Sequence, residues 1–151
     1  MKNLKAVEAL NDLSARTFDA ENGYKEAAEN VTDNHLKEMF KANSAQRYTF
    51  RQEIKDCITN LGGTPQEGGT VAGQTHQIWM DVKSSFARND DAAVLKEVNR
   101  GEEYALDAYN NALQNITVGT PEYDRIVAQR NQVRATFNRT QNLETIHEKV
   151  S

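Results

Sequence analysis

The sequence predicts an all-α fold: an antiparallel four-helix bundle whose two hairpins are joined by a long crossover carrying a fifth, shorter helix. Three observations carry this reading. Apolar residues recur in alternating steps of three and four along four long stretches, the spacing that keeps one face of a helix against a partner. The chain-breaking residues are concentrated, with Pro65 and Pro121 the only prolines and five of the eight glycines between Gly62 and Gly73. The connections between the long stretches run short, long, short, and short loops force antiparallel neighbours.

Leu10, Leu13, Thr17, Ala20, Tyr24, Ala27 and Val31 define the first helix, residues 3–31. Asp33 is placed to cap a second, 34–61, by accepting the free amides of its first turn, and Gly62 and Gly63 suit its exit. The stripe of this helix runs Leu36, Phe40, Asn43, Arg47, Phe50, Ile54, Cys57, Leu61. After the polar segment 64–70, Val71, Thr75, Ile78, Val82 and Phe86, with Trp79, mark the crossover helix, 71–87. Leu95, Val98, Glu102, Ala105, Tyr109, Ala112 and Ile116 mark a helix over 91–116. Thr120 and Pro121 supply the N-cap and first-position proline of the last helix, 121–148. The long crossover lets the second and fourth of these helices run parallel.

Composition bounds the function. A chain of 151 residues fits one domain, 1–151. Its net charge of −4, with acids and bases interspersed, gives no basic stripe for nucleic acid and no cationic amphipathic helix for a membrane surface. No apolar run is long enough to span a bilayer, and the N-terminal residues lack the apolar region of a signal peptide, so the expected compartment is the cytoplasm. The lone cysteine, Cys57, rules out an internal disulfide and reads as a buried helical thiol.

The two hairpins look alike. Gly23-Tyr24 and the following Ala27 and Asn30 match Ala108-Tyr109, Ala112 and Asn115, with the tyrosines 85 residues apart. Arg47-x-x-Phe50 matches Arg134-x-x-Phe137 at an offset of 87. Such a repeat implies a pseudo-twofold axis.

In order along the chain, Leu10-Asn11-Asp12-Leu13, Gly23-Tyr24, Ala27-Ala28-Glu29, Gln46-Arg47, Leu61-Gly62-Gly63, Ala72-Gly73 with His76 and Trp79, and Gly101-Glu102 resemble an uncharacterised bacterial ferritin-like family described as a domain of unknown function, within the ferritin and rubrerythrin superfamily. The resemblance implies the ferritin-like bundle and no assigned activity. In the wider superfamily a di-iron centre takes a Glu from each of two helices and a Glu-x-x-His pair from each of the others. Here Glu102 stands seven residues before Tyr109, but Thr17 holds the equivalent place before Tyr24. The two paired positions read Gln46-Arg47-Tyr48-Thr49 and Val133-Arg134-Ala135-Thr136, without acid or imidazole. His35, His76 and His147 fall away from mid-bundle, and Asp19, Glu21 and Glu26 lie off the inward stripe. Glu102 is the one candidate metal ligand.

An isolated buried carboxylate is costly, so a Glu102 on an apolar stripe demands a cation. Arg47, Arg134 and Arg130 are the candidates, with Tyr24 and Tyr109 as hydrogen-bonding members of one buried polar network. His76, Trp79 and Lys83 recur along the crossover helix and form a candidate interface, through which the chain would form a homodimer; the alternative for Trp79 is packing over the bundle as core. No nucleophile and base, phosphate loop or metal set occurs, which favours a non-enzymatic structural or interaction protein without a cofactor. The competing reading is a noncanonical oxidoreductase or iron-handling protein binding iron or manganese through Glu102 and helix-one acids among Asp19, Glu21 and Glu26, should a shifted register turn one inward.

Overall fold

The computed structural model describes residues 3–150, with side chains to residue 147. The long helices are α1 (Leu4–Asn30), α2 (Asn34–Asn60), α4 (Asp91–Gln114) and α5 (Pro121–Val150), with α3 (Gln74–Ser85) in the crossover. A 3-10 turn, Phe86–Arg88, ends α3 and hands over to α4 through Asn89 in the left-handed region, at φ 49°.

Local chemistry sets these limits. The Asp33 side chain accepts from the Leu36 amide at 3.1 Å and starts α2. Gly62, at φ 86°, turns the chain out of that helix. The crossover helix begins three residues later than its apolar pattern suggests, because Gly73 adopts φ 94° and breaks the helical backbone between Val71 and Gln74. Val71 consequently stands 92 % exposed instead of anchoring a helix face. Asp90 caps α4 through the Ala92 amide at 3.0 Å, and the Thr120 hydroxyl accepts from the Tyr123 amide at the start of α5.

Two apolar clusters fill the bundle. One joins Leu10 and Leu13 of α1, Ile54 and Ile58 of α2, Ala112 and Leu113 of α4 and Ile126 of α5. The other joins Tyr24 and Ala27, Leu36 and Phe40, and Leu95 and Val98, with Leu143 packed against it. The second cluster therefore gathers the C-terminal halves of α1 and α5 and the N-terminal halves of α2 and α4. That arrangement makes α2 and α4 parallel, the topology the long crossover permits.

Helix α3 closes the side formed by α1 and α4, while α2 and α5 pack against each other more sparsely than either hairpin's two helices do. Trp79 fastens α3 down. Its ring lies against Gly23 of α1 and Gly101 of α4, so closely that a Cβ at Gly101 would stand 2.8 Å from the indole and one at Gly23 would overlap it. The strap between α2 and α3 is tied along α1 by Asn11, which donates to the Thr64 carbonyl and accepts from the Gln66 amide, and by Asp19, which accepts from the amide and hydroxyl of Thr70.

Candidate functional site: a polar layer at mid-bundle

On every long helix the two apolar clusters are separated by buried polar residues: Ser14 and Thr17 on α1, Asn43 and Arg47 on α2, Asn99 and Glu102 on α4, Thr136 and Thr140 on α5. The helical period brings all of these to the inward stripe at one height. The bundle is thus cut across its middle by a layer that does not contribute apolar packing.

The centre of the layer is a forked ion pair. Arg47 donates from Nη1 to Glu102 Oε1 and from Nη2 to Oε2, both at 2.6 Å, with 1 % and 0 % of the two residues exposed. Burial opposes the guanidinium charge, but the carboxylate's charge and hydrogen bonds outweigh it and hold Arg47 protonated more firmly than a free arginine. The Arg47 Cζ also stands 5.5 Å from the centre of the Tyr24 ring. Fork-to-fork contacts of this kind are strong because two charge-assisted bonds form in one plane.

The two tyrosines flank the pair in crossed fashion. Tyr24 of α1 sits beside Glu102 and Asn43, yet its hydroxyl, like the Asn43 Nδ2, has no hydrogen-bonding geometry to any neighbour. Burial, reinforced by the Glu102 charge, pushes the Tyr24 hydroxyl well above the usual tyrosine range. Tyr109 of α4 sits beside Thr17 and donates to Gln129 Oε1 at 2.8 Å. Gln129 Nε2 in turn donates to the Phe50 carbonyl and to Glu53 Oε1.

These contacts correct the repeat. Asn43 and Gln129, each beside one of the tyrosines, are 86 residues apart, so Arg47 corresponds to Val133 and not to Arg134. Arg134 lies one residue, about 100° of helix, off the inward stripe and is exposed. It takes no part in the layer, and Arg130 is half-buried with hydrogen bonds to Asn110 and Asn131 instead. The same one-residue rotation applies on α2, where the inward pair is Arg47 and Phe50, not Gln46 and Thr49. Asn43 stood on the predicted stripe without being singled out; Gln129 was missed, although the spacing of Ile126, Gln129, Val133 and Thr136 would have turned it inward.

The layer does not fit a di-iron centre. Both Glu102 oxygens are taken by Arg47, and the remaining inward positions hold Thr17, Phe50, Val133 and Thr136, none of which offers a carboxylate or imidazole. A guanidinium at the centre would repel a cation. His35 is exposed at the start of α2, while His76 and His147 lie on α3 and in the last turns of α5, half-exposed. Among the described residues no group of three or more His, Cys, Asp and Glu is arranged to hold a metal. Asp19, Glu21 and Glu26 face the strap, Arg51 and Lys83 respectively.

At the candidate interface, Trp79 takes the packed position rather than the exposed one. Trp79 is only 5 % exposed, turned inward onto Gly23 and Gly101 with its ring 5.7 Å from that of Tyr24, so it is packed core and not a surface anchor. His76 and Lys83 remain at the surface, the first bonded through Nδ1 to the Thr70 carbonyl and the second 3.7 Å from Glu26. No described helix is long and apolar enough to cross a membrane.

In overall shape the chain is similar to a solved structure from Bacillus anthracis strain Ames titled as ferritin-like, diiron-carboxylate proteins, with a TM-score of 0.71 at 17 % identity, over 97 % of this chain and 98 % of that one. The fold is therefore that of a ferritin-like helical bundle. No curated protein matches the sequence. A family model described as a domain of unknown function (DUF2383) matches residues 5–115, which hold both partners of the ion pair, and the chain belongs to that family.

Proposed function

We propose that this chain is a non-enzymatic structural or interaction protein, a ferritin-like bundle in which an ion pair occupies the middle of the core. One observation carries the reading: the only buried carboxylate of the mid-bundle layer is paired through both oxygens with Arg47 and closed off from solvent. A general base must reach a substrate proton, and a metal ion bound at Glu102 would stand against the guanidinium charge. The pairing favours neither role.

The test is the metal content of the purified protein after incubation with ferrous iron and with manganese, alongside a Glu102→Ala variant. We expect no stoichiometric metal in either. Two equivalents bound by the native chain and lost in the variant would overturn the reading and establish a noncanonical iron-handling protein or oxidoreductase. A homodimer joined along the surface edge of α3 that carries His76 and Lys83 belongs to the same proposal. Solution mass at high protein concentration decides it, a monomer alone ruling the dimer out.

A further inference from the structure

A second group of chemistry-bearing residues lies outside the polar layer, in a cleft of about 240 Å³ between α1, the strap and α3. Its apolar walls are Phe18, Trp79 and Met80, and Gly23 and Gly69 keep its base flat. A Cβ at Gly69 would run into the Asp19 carboxylate, so the strap's close approach requires that glycine. Three titratable side chains converge here. Asp19 comes from α1, and His76 and Lys83 come from α3, about two turns apart on one face.

Each has spare bonding capacity. Asp19 accepts one hydrogen bond on each oxygen, both from Thr70, which leaves lone pairs on both. Burial pushes its carboxyl above the usual range, while the Thr70 bonds and the His76 and Lys83 charges pull it down. Because a carbonyl only accepts, the His76 contact to Thr70 at 3.1 Å places a proton on Nδ1 and leaves Nε2 to bond elsewhere. The Lys83 ammonium lies 3.7 Å from Glu26, outside hydrogen-bonding distance, and 47 % of its side chain is exposed. Asn22 adds an amide to the same rim.

We propose that this cleft binds a free α-amino acid with an apolar side chain. An acid and an ammonium of opposite sign beside an aromatic wall complement a zwitterion: the ligand's ammonium on Asp19, its carboxylate on Lys83 and Asn22, its side chain against Trp79 and Met80. The volume suits a molecule of leucine's size, below that of drug-sized pockets at about 300 Å³ and above. The inference is independent of the polar layer, since none of these residues belongs to it, but it takes His76 and Lys83 from the proposed dimer edge, so ligand and dimer would compete for that face and the titration is made on dilute protein.

Trp79 is the chain's only tryptophan, so its emission reports on the cleft directly. The experiment titrates the full chain with L-leucine, 4-methylpentanoate and 3-methylbutylamine, followed by fluorescence and by calorimetry. Leucine should saturate and bind at least about tenfold more tightly than either singly charged analogue, the difference one charge-assisted contact provides. Lys83→Met should abolish the advantage of leucine over the amine, and Asp19→Asn its advantage over the acid. Lys83 is exposed and does not hold the strap, so that variant decides the matter even if Asp19→Asn loosens the fold. The absence of both signals up to about 10 mM leucine, equal binding of the three compounds, or unchanged selectivity in Lys83→Met would each overturn the proposal.

Discussion

Arg47 of α2 and Glu102 of α4 meet head-on through two parallel hydrogen bonds of 2.6 Å in a layer that water does not reach. Neither helix is the other's hairpin partner. The pair therefore links the first half of the chain to the second across the crossover.

Removing one partner strands the other. Glu102→Gln should cost about 3–5 kcal/mol of stability, because the guanidinium stays buried without a counter-charge. The double change Arg47→Met with Glu102→Leu should recover most of that loss. Urea melts of the three proteins check both numbers, and equal destabilisation of single and double variants would refute the account.

Trp79 offers a second test. Its ring occupies the space over Gly23 and Gly101, so Gly23→Ala should push the indole outward and cost about 1–3 kcal/mol through overpacking. A red shift of the tryptophan emission together with a lower melting temperature is the expected result.

Alkaline pH should weaken the fold. Burial pushes the Cys57 thiol from 9.0 up to about 11 and also raises Tyr24 and Tyr109, both against the pull of Arg47. Each folded group keeps its proton where the unfolded chain has already lost it, so ionisation draws the equilibrium toward the unfolded state. Stability is lost as pH rises from 9 toward 11, by about 2 kcal/mol for Cys57 alone. Denaturant midpoints across that range measure it, and Tyr24→Phe should flatten the decline at its upper end. In the native state Cys57 should react slowly with thiol reagents, being 2 % exposed.

The Asp91 side chain, in the first turn of α4, accepts from the Thr32 amide and hydroxyl and from the Asp33 amide, at 2.9–3.0 Å. It ties the turn of the first hairpin to the start of the second. Asp91→Ala should cost about 1–2 kcal/mol and speed hydrogen exchange at Thr32 and Asp33 before it affects the helix centres.

Helix number, order and the parallel crossover were legible because apolar periodicity and the placement of Gly and Pro act locally along the chain. Arg47 and Glu102 stood out because each puts a charge on an otherwise apolar stripe, and Tyr24 and Tyr109 through their equivalent places in the repeat; neither tyrosine hydroxyl bonds to the ion pair. Arg134 entered that group through a short motif match one residue out of register, and rotation about a helix is what such a match fails to constrain. The inward turn of Trp79 depends on two glycines far apart in sequence, Gly23 and Gly101, which no local pattern joins. The clasp made by Asp91 on the opposite hairpin is likewise a product of tertiary approach and left no mark in the order of residues.

The polar layer also fixes how the hairpins align lengthwise. Apolar stripes alone tolerate sliding, since a displacement of one helical turn, about 5.4 Å, brings one leucine opposite where another had been. With Arg47 and Glu102 in place, the same slip would drive a guanidinium and a carboxylate apart into separate oily compartments. The ion pair thus acts as a key cut at one height, and its replacement by methionine and leucine should reveal itself less in the midpoint of unfolding than in a broader transition and poorer dispersion of core methyl resonances.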